Sequence, residues 1–231
     1  MLYYPFLVAA ISLIFGGIVL NQYRMQRKAY QFWWAVSLFL GAVGTLSYIL
    51  TLTAGHNPFL FRAYLLLGGL MPLYLGLGSL LLVVSRRFGD ASLYLVLLGS
   101  LVGVYYFYTV PLNGAALAEL NGGAGSAVIT ATPVLVLLGL YGGLGGLAVI
   151  GVAVYSVLQL LRRGGDRGFM VGNVMIAAGT FVIAAAGTMA TTFHQDAAFW
   201  LTMFVGWVVL FGGFLLTTAT AVRFKTKNRE V

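Results

Sequence analysis

A chain of 231 residues with 61% hydrophobic content, 8% charged residues and a mean hydropathy of +0.97 is no ordinary soluble domain, in which about a quarter of the residues are charged. Its formal charge of +8 at pH 7 does not point to nucleic acid, because the basic residues sit in short loops beside apolar runs and form no stripe along a polar face. The absence of cysteine excludes disulfides, thiolate metal sites and thiol nucleophiles together.

A helix needs about 20 apolar residues to cross the hydrocarbon of a bilayer. Uncharged runs of that length predict seven spans near 3–22, 32–54, 63–85, 92–111, 133–161, 169–193 and 197–222, in one membrane domain covering 1–231. The runs are continuously apolar and do not alternate, which favours helices over barrel strands. The expected fold is therefore an all-α, seven-transmembrane-helix bundle. Basic clusters at Arg24/Arg27/Lys28, Arg86/Arg87, Arg162/Arg163/Arg167 and Arg223/Lys225/Lys227/Arg229 occupy every second connection. Under the positive-inside rule they place the N-terminus outside and the C-terminus in the cytoplasm of a cell-membrane protein.

The first run carries its charges after the apolar stretch, so it reads as a spanning helix and not a cleaved leader. The second brings Trp33 and Trp34 to one boundary and Thr45, Ser47, Thr51 and Thr53 toward the other. In the third, Pro72 frees a carbonyl one turn earlier, and a kink there would let Tyr74 line a cavity; the alternative is a membrane proline whose neighbours re-satisfy the backbone. The fourth ends in Tyr105, Tyr106 and Tyr108, either an interfacial aromatic belt or a stacking platform for a ligand. Residues 112–132 form a longer outer loop, with a short helix expected over Leu112–Leu120 before a flexible glycine segment.

Lipid tails are as apolar as Leu, so helices associate in membranes by close approach at small residues. Of the 31 glycines, Gly139/Gly143 and Gly142/Gly146 on the fifth run, and Gly99/Gly103 on the fourth, have the spacing of such packing faces. They serve either the bundle itself or contacts with membrane-protein partners or a second copy of the chain. Trp207 and Asn173 fall within the spans, where an unpaired polar group is costly, and each is expected to find a partner inside the bundle.

Basic cluster, span, turn with one histidine, span and basic residue occur in that order twice, around His56 and around His194. A 3+1+3 duplication, with the first three spans related to the last three, produces this pattern. Bilayer thickness alone produces similar spacings.

No Lys falls within a span, and the acidic residues Asp90, Glu119, Asp166, Asp196 and Glu230 fall in predicted loops or the tail. Proton relays and ion-coupled carriers need ionisable groups at membrane depth, and hydroxyl nucleophiles need an activating base, so no enzyme is expected. His56 and His194 at the outer face are candidate metal or haem ligands; the alternative is a pair of polar residues at helix ends. Arg62, the cation of the outer loops, is a candidate for binding an anion, or else a snorkelling side chain.

Phe61-Arg62-Ala63-Tyr64, followed by Gly68 and Leu75-Gly76-Leu77-Gly78-Ser79, resembles a pattern in small seven-helix bacterial membrane proteins of unassigned function. The topology is similar to that of microbial rhodopsins, whose covalent retinal needs a Lys on the last helix; Phe199 to Val222 holds none, which excludes that linkage and leaves no cofactor required. The layout also resembles the SWEET sugar carriers, although their Pro-Gln pair is absent here. The expected function is that of a noncatalytic membrane protein acting by binding, as a subunit of a membrane complex or a sensor of a small apolar ligand, with Arg62, Tyr74, Tyr105 and Trp207 as ligand candidates. The alternatives are a facilitative carrier of a neutral solute and a haem or metal protein.

Overall fold

A computed structural model describes residues 3–164, 166–192 and 198–227, and among these the chain is all-helical with no strand. Seven helices are long and apolar enough to cross a membrane. They are α1 (Tyr3–Gln26), α2 (Ala29–Thr53), α3 (Pro58–Leu80), α4 (Arg86–Thr109), α6 (Thr132–Arg163), α7 (Arg167–Thr192) and α8 (Phe199–Lys227). Between α4 and α6 lie the five-residue α5 (Gly114–Ala118) and a 3-10 turn at Ser126–Val128.

Local chemistry sets several boundaries. The Asn57 side chain accepts from the Phe59 and Leu60 amides, and Pro58 occupies the first turn, where its missing N–H costs nothing. α3 therefore starts five residues before the apolar run near 63 and ends at Leu80. The Asp166 carboxylate accepts from the Gly168 and Phe169 amides at the start of α7, an N-cap that also favours the positive end of the helix dipole. Gly164 ends α6 in the left-handed conformation, φ +65. α4 begins at Arg86 and takes in Asp90, a residue the sequence pattern assigns to a loop; a charged first turn can project beyond the apolar zone and still be helical.

Neighbour contacts arrange six of the long helices as a closed ring in the order α1, α2, α3, α6, α7, α8, with α4 outside against α3 and α6. Antiparallel connection gathers the described basic turns at one end of the ring and the loop after α4 at the other. Close approaches at glycine hold the ring together. A Cβ on Gly145 of α6 would lie 2.1 Å from the Pro72 carbonyl oxygen, and one on Gly76 would lie 2.8 Å from the Gly145 Cα. Between α7 and α8, Gly172 faces Gly213 and Gly179 faces Gly206, each across a gap that a Cβ would close to under 3.2 Å from backbone. Van der Waals contact between backbones is what such positions contribute.

Polar side chains reinforce the same seams. Ser37 Oγ donates to the Met71 carbonyl at 2.6 Å, and Trp34 Nε1 donates to Ser79 Oγ at 3.2 Å, both joining α2 to α3. Phe15 of α1 packs against Phe211 and Phe214 of α8, each at 4.8 Å between ring centres, and meets Trp207 edge-on at 6.4 Å. Many remaining hydroxyls, including those of Thr45, Thr51 and Thr180, donate to the carbonyl four residues earlier on their own helix. That arrangement satisfies them without joining helices.

Candidate functional site

Inside the ring lies a cavity of about 460 Å3, walled by α2, α3, α6, α7 and α8 and by the segment 124–129, a volume within the range of small-molecule sites. It exists because the sequence places small residues where two helices converge: Gly68 and Gly69 on α3, and Gly139, Gly142, Gly143 and Gly146 on α6, all contribute to its wall. A Cβ at Gly139, Gly142 or Gly143 would meet nothing within 4 Å. These positions border open space, and the tight α3–α6 crossing is made instead by Gly145, which belongs to neither small-residue register. Gly146 has only the Thr180 methyl, at 4.0 Å from its Cβ position.

Among the described residues, none that lines the cavity is Asp, Glu, His, Lys or Arg. Aromatic and sulfur-bearing side chains supply much of the surface: Tyr64, Met71, Phe181, Phe199, Trp200, Met203 and Trp207. Such a lining suits a neutral apolar guest, because an unpaired charge there would be heavily penalised by desolvation.

One end of the cavity is closed by the loop. The Tyr48 hydroxyl donates to the Gly123 carbonyl, Trp200 Nε1 donates to the same carbonyl at 3.3 Å, and the Tyr64 hydroxyl donates to the Ala124 carbonyl at 3.2 Å. Gly125, at φ +79, lies over the Phe61 ring, which a Cβ would approach to 2.8 Å; a glycine is required there on both counts. His56 Nε2 lies 3.0 Å from the Leu120 carbonyl oxygen, so this imidazole fastens the loop to the α2–α3 turn. The helix expected over Leu112–Leu120 is confined to Gly114–Ala118, started by an Asn113 cap.

The side of the cavity is open. Gly139, Gly143 and Leu147 of α6 and Phe181, Ala184 and Thr188 of α7 both line it and are exposed on the outside of the bundle. The opening therefore faces laterally, between α6 and α7.

Trp207 is the ligand candidate that reaches this cavity, and its side chain is 1% exposed. The sequence expectation that it finds a partner in the bundle is not met: Trp207 Nε1 is buried with no hydrogen-bond partner among the described residues. Asn173, by contrast, donates to the Phe169 carbonyl at 2.8 Å. The difference is geometric: Asn173 reaches a carbonyl of its own helix, whereas a rigid indole cannot fold back onto the preceding turn. A buried donor left unmade costs about 1–3 kcal/mol.

The other candidates lie elsewhere. Arg62 Nη1 donates to the Phe107 carbonyl at 2.6 Å, placing a cation on the last turn of α4, where orphan carbonyls and the negative end of the dipole favour it. Tyr74 stacks on Trp33 at 5.6 Å between ring centres and shares a hydrogen bond of 3.1 Å with Ser100 Oγ, joining α3 to α4. Tyr105 is 63% exposed and touches Tyr106 edge-on. Gly99 and Gly103 accommodate Tyr141, whose hydroxyl donates to the Gly99 carbonyl and lies 2.9 Å from a Gly103 Cβ position. His194 and Asp196 lie outside the described residues, and among the described ones no cluster of three His, Cys, Asp or Glu is placed to hold a metal.

Sequence reasoning missed Gly145, Gly76 and the α7–α8 glycine pairs. The signal for the pairs was present: Gly172 to Gly179 and Gly206 to Gly213 are both seven residues apart, the period of two antiparallel helices meeting every second turn. No protein-family model, curated protein or solved structure matches the chain.

Proposed function

We propose that this integral membrane protein acts by binding a small apolar molecule within its helical ring. The observation that carries the reading is the cavity walled by α2, α3, α6, α7 and α8, with no charged side chain among its described lining residues, closed by the loop at one end and open toward the side. Of the two forms of binding expected from sequence, the ligand sensor has this cavity in its favour. The basic turns support the orientation with the N-terminus outside and the arginine-rich end in the cytoplasm of a cell membrane. A bound molecule would press on α6 and α7, whose Arg162–Arg167 connection lies at that end, so a partner protein there could read its presence.

The alternative is a carrier built on a 3+1+3 duplication, in which α1, α2 and α3 would correspond to α6, α7 and α8 with α4 as the connector. A duplicated ring is suited to facilitated passage of a neutral solute, and saturable flux into liposomes is the measurement for it.

The experiment for the main reading is purification in mild detergent, followed by organic extraction and mass spectrometry of what leaves the protein. A hydrophobic molecule recovered near one per chain is the expected result. Recovery of only bulk lipid in variable amounts, unchanged when Gly143 is replaced by Leu to fill the cavity, would count against it.

A further inference from the structure

The cavity wall is poor in free polar groups. The lining hydroxyls of Thr45, Thr180 and Thr188 donate to carbonyls of their own helices, Tyr64 donates to the Ala124 carbonyl and Trp200 to that of Gly123. The Trp207 nitrogen is sealed inside the protein, its ring packed toward α2 with Cζ2 3.6 Å from the position of a Gly41 Cβ. With no charged side chain among the described lining residues either, the wall recognises apolarity and shape. A polar or charged part of a ligand is better left in the interface than brought inside unpaired.

The opening shows which interface that is. Measured from Thr132, the loop end of α6, Gly139 and Leu147 lie about 10 and 22 Å along the axis at about 1.5 Å per residue. Measured from Thr192, the same end of α7, Thr188 and Phe181 lie about 6 and 16 Å along it. The hydrocarbon of a bilayer is about 30 Å thick, so the gap opens mainly onto the leaflet at the loop side. The loop closes the cavity end above it through Gly123 and Ala124, which leaves the gap as the way in. From there the lining of α6 continues to Ile150, and Leu75, Val149 and Leu210 lead on to a smaller cavity toward Phe15 and Phe214. The space is long, about 18 Å from Leu138 to Ile150, and a compact guest would leave most of that wall without van der Waals partners. A helix of a second copy, about 10–12 Å across, would have to force apart α6 and α7, which are packed neighbours.

Resting on the binding reading above, we infer that the apolar guest is one acyl chain of a membrane phospholipid. The chain comes from the loop-side leaflet and passes between α6 and α7 at Gly139 and Gly143, while its headgroup stays at the membrane surface. A hydrocarbon tail has the length, the flexibility and the lack of hydrogen-bonding groups that this space calls for.

The test reads tryptophan fluorescence of the full chain in vesicles of phosphatidylcholine brominated at mid-chain, bromine being a contact-range quencher. Trp200 and Trp207 line the cavity and are 3% and 1% exposed, so lipid around the bundle cannot touch them and a tail inside can. Gly143→Leu and Ala184→Leu, which obstruct the gap from either helix, should each remove about half of the quenching, since two of the four tryptophans line the cavity. Gly17→Leu, at an exposed position of α1 with nothing within 4 Å of its Cβ, should leave it unchanged. Bromododecane added to unbrominated vesicles serves as the free apolar guest. Saturable quenching by bromododecane that both gap variants block, with lipid quenching unmoved by them, would overturn the acyl chain and leave cavity binding standing; quenching by neither that the variants reduce would remove both. The leaflet is tested with vesicles of at most one chain each, captured on a thiol-reactive resin through Asn121→Cys so that the loop faces out. Brominated lipid exchanged into the outer leaflet alone should give the Gly143-dependent quenching in captured vesicles and not in the unbound ones. The reverse would overturn the loop-side source.

Discussion

Arg62 is a side chain that the sequence singles out by type but whose hydrogen-bond partner it does not show. A cation between apolar helices suggests an anion site, and in the structure its Nη1 donates to the Phe107 carbonyl at the end of α4. Arg62→Met should therefore lower stability by about 1–2 kcal/mol and speed hydrogen exchange in the last turn of α4, while Arg62→Lys, which keeps a donor and the charge, should recover much of the loss. No change in either property would return Arg62 to the surface. Tyr48 makes a parallel case in the loop. Its hydroxyl meets the Gly123 carbonyl, so Tyr48→Phe should cost about 1 kcal/mol and raise exchange at the amides of residues 122–125 before it affects the helices. Neither partner was legible in the sequence, because both are carbonyls: every residue carries one, and nothing in the side-chain pattern marks which is left unpaired.

At the scale of helices, the glycines divide into those that let backbones meet and those that leave a gap. Gly145 belongs to the first group and Gly143 to the second, two residues apart on one helix. Gly145→Ala must move the α3 backbone, and should lose 3 kcal/mol or more, about the upper end for overpacking, seen as a collapse of the thermal midpoint in detergent. Gly143→Ala should be neutral or gain about 0.5–1 kcal/mol from helix propensity. Equal effects of the two substitutions would refute the crossing at Gly145. Gly179→Ala should behave like Gly145→Ala, since its Cβ would lie 2.5 Å from the Leu210 amide nitrogen. The small-residue spacing on α6 was visible from sequence, but it recurs in two overlapping registers that start three residues apart, at Gly139 and Gly142. A rotation of about 100° per residue decides which register faces a neighbour, and that angle is set by the neighbour.

For the molecule as a whole, the absence of native cysteine makes the proposed orientation directly measurable. Single cysteines at Gly122, in the loop, and at Ser85, before α4, should react with a membrane-impermeant maleimide from opposite sides of intact cells, Gly122→Cys from outside and Ser85→Cys only after lysis. The reverse pattern would invert the protein. The number and approximate position of the membrane helices followed from sequence alone, because a run of about 20 uncharged residues has few other stable fates and the bilayer imposes the length. So did the alternation of basic turns, since charge in short loops acts locally. The ring order, the open face between α6 and α7 and the unpaired donor of Trp207 had to await the tertiary structure. Which helices become neighbours is determined by side-chain and backbone contacts between segments far apart in the chain, and an apolar run facing lipid carries the same residues as one facing a cavity.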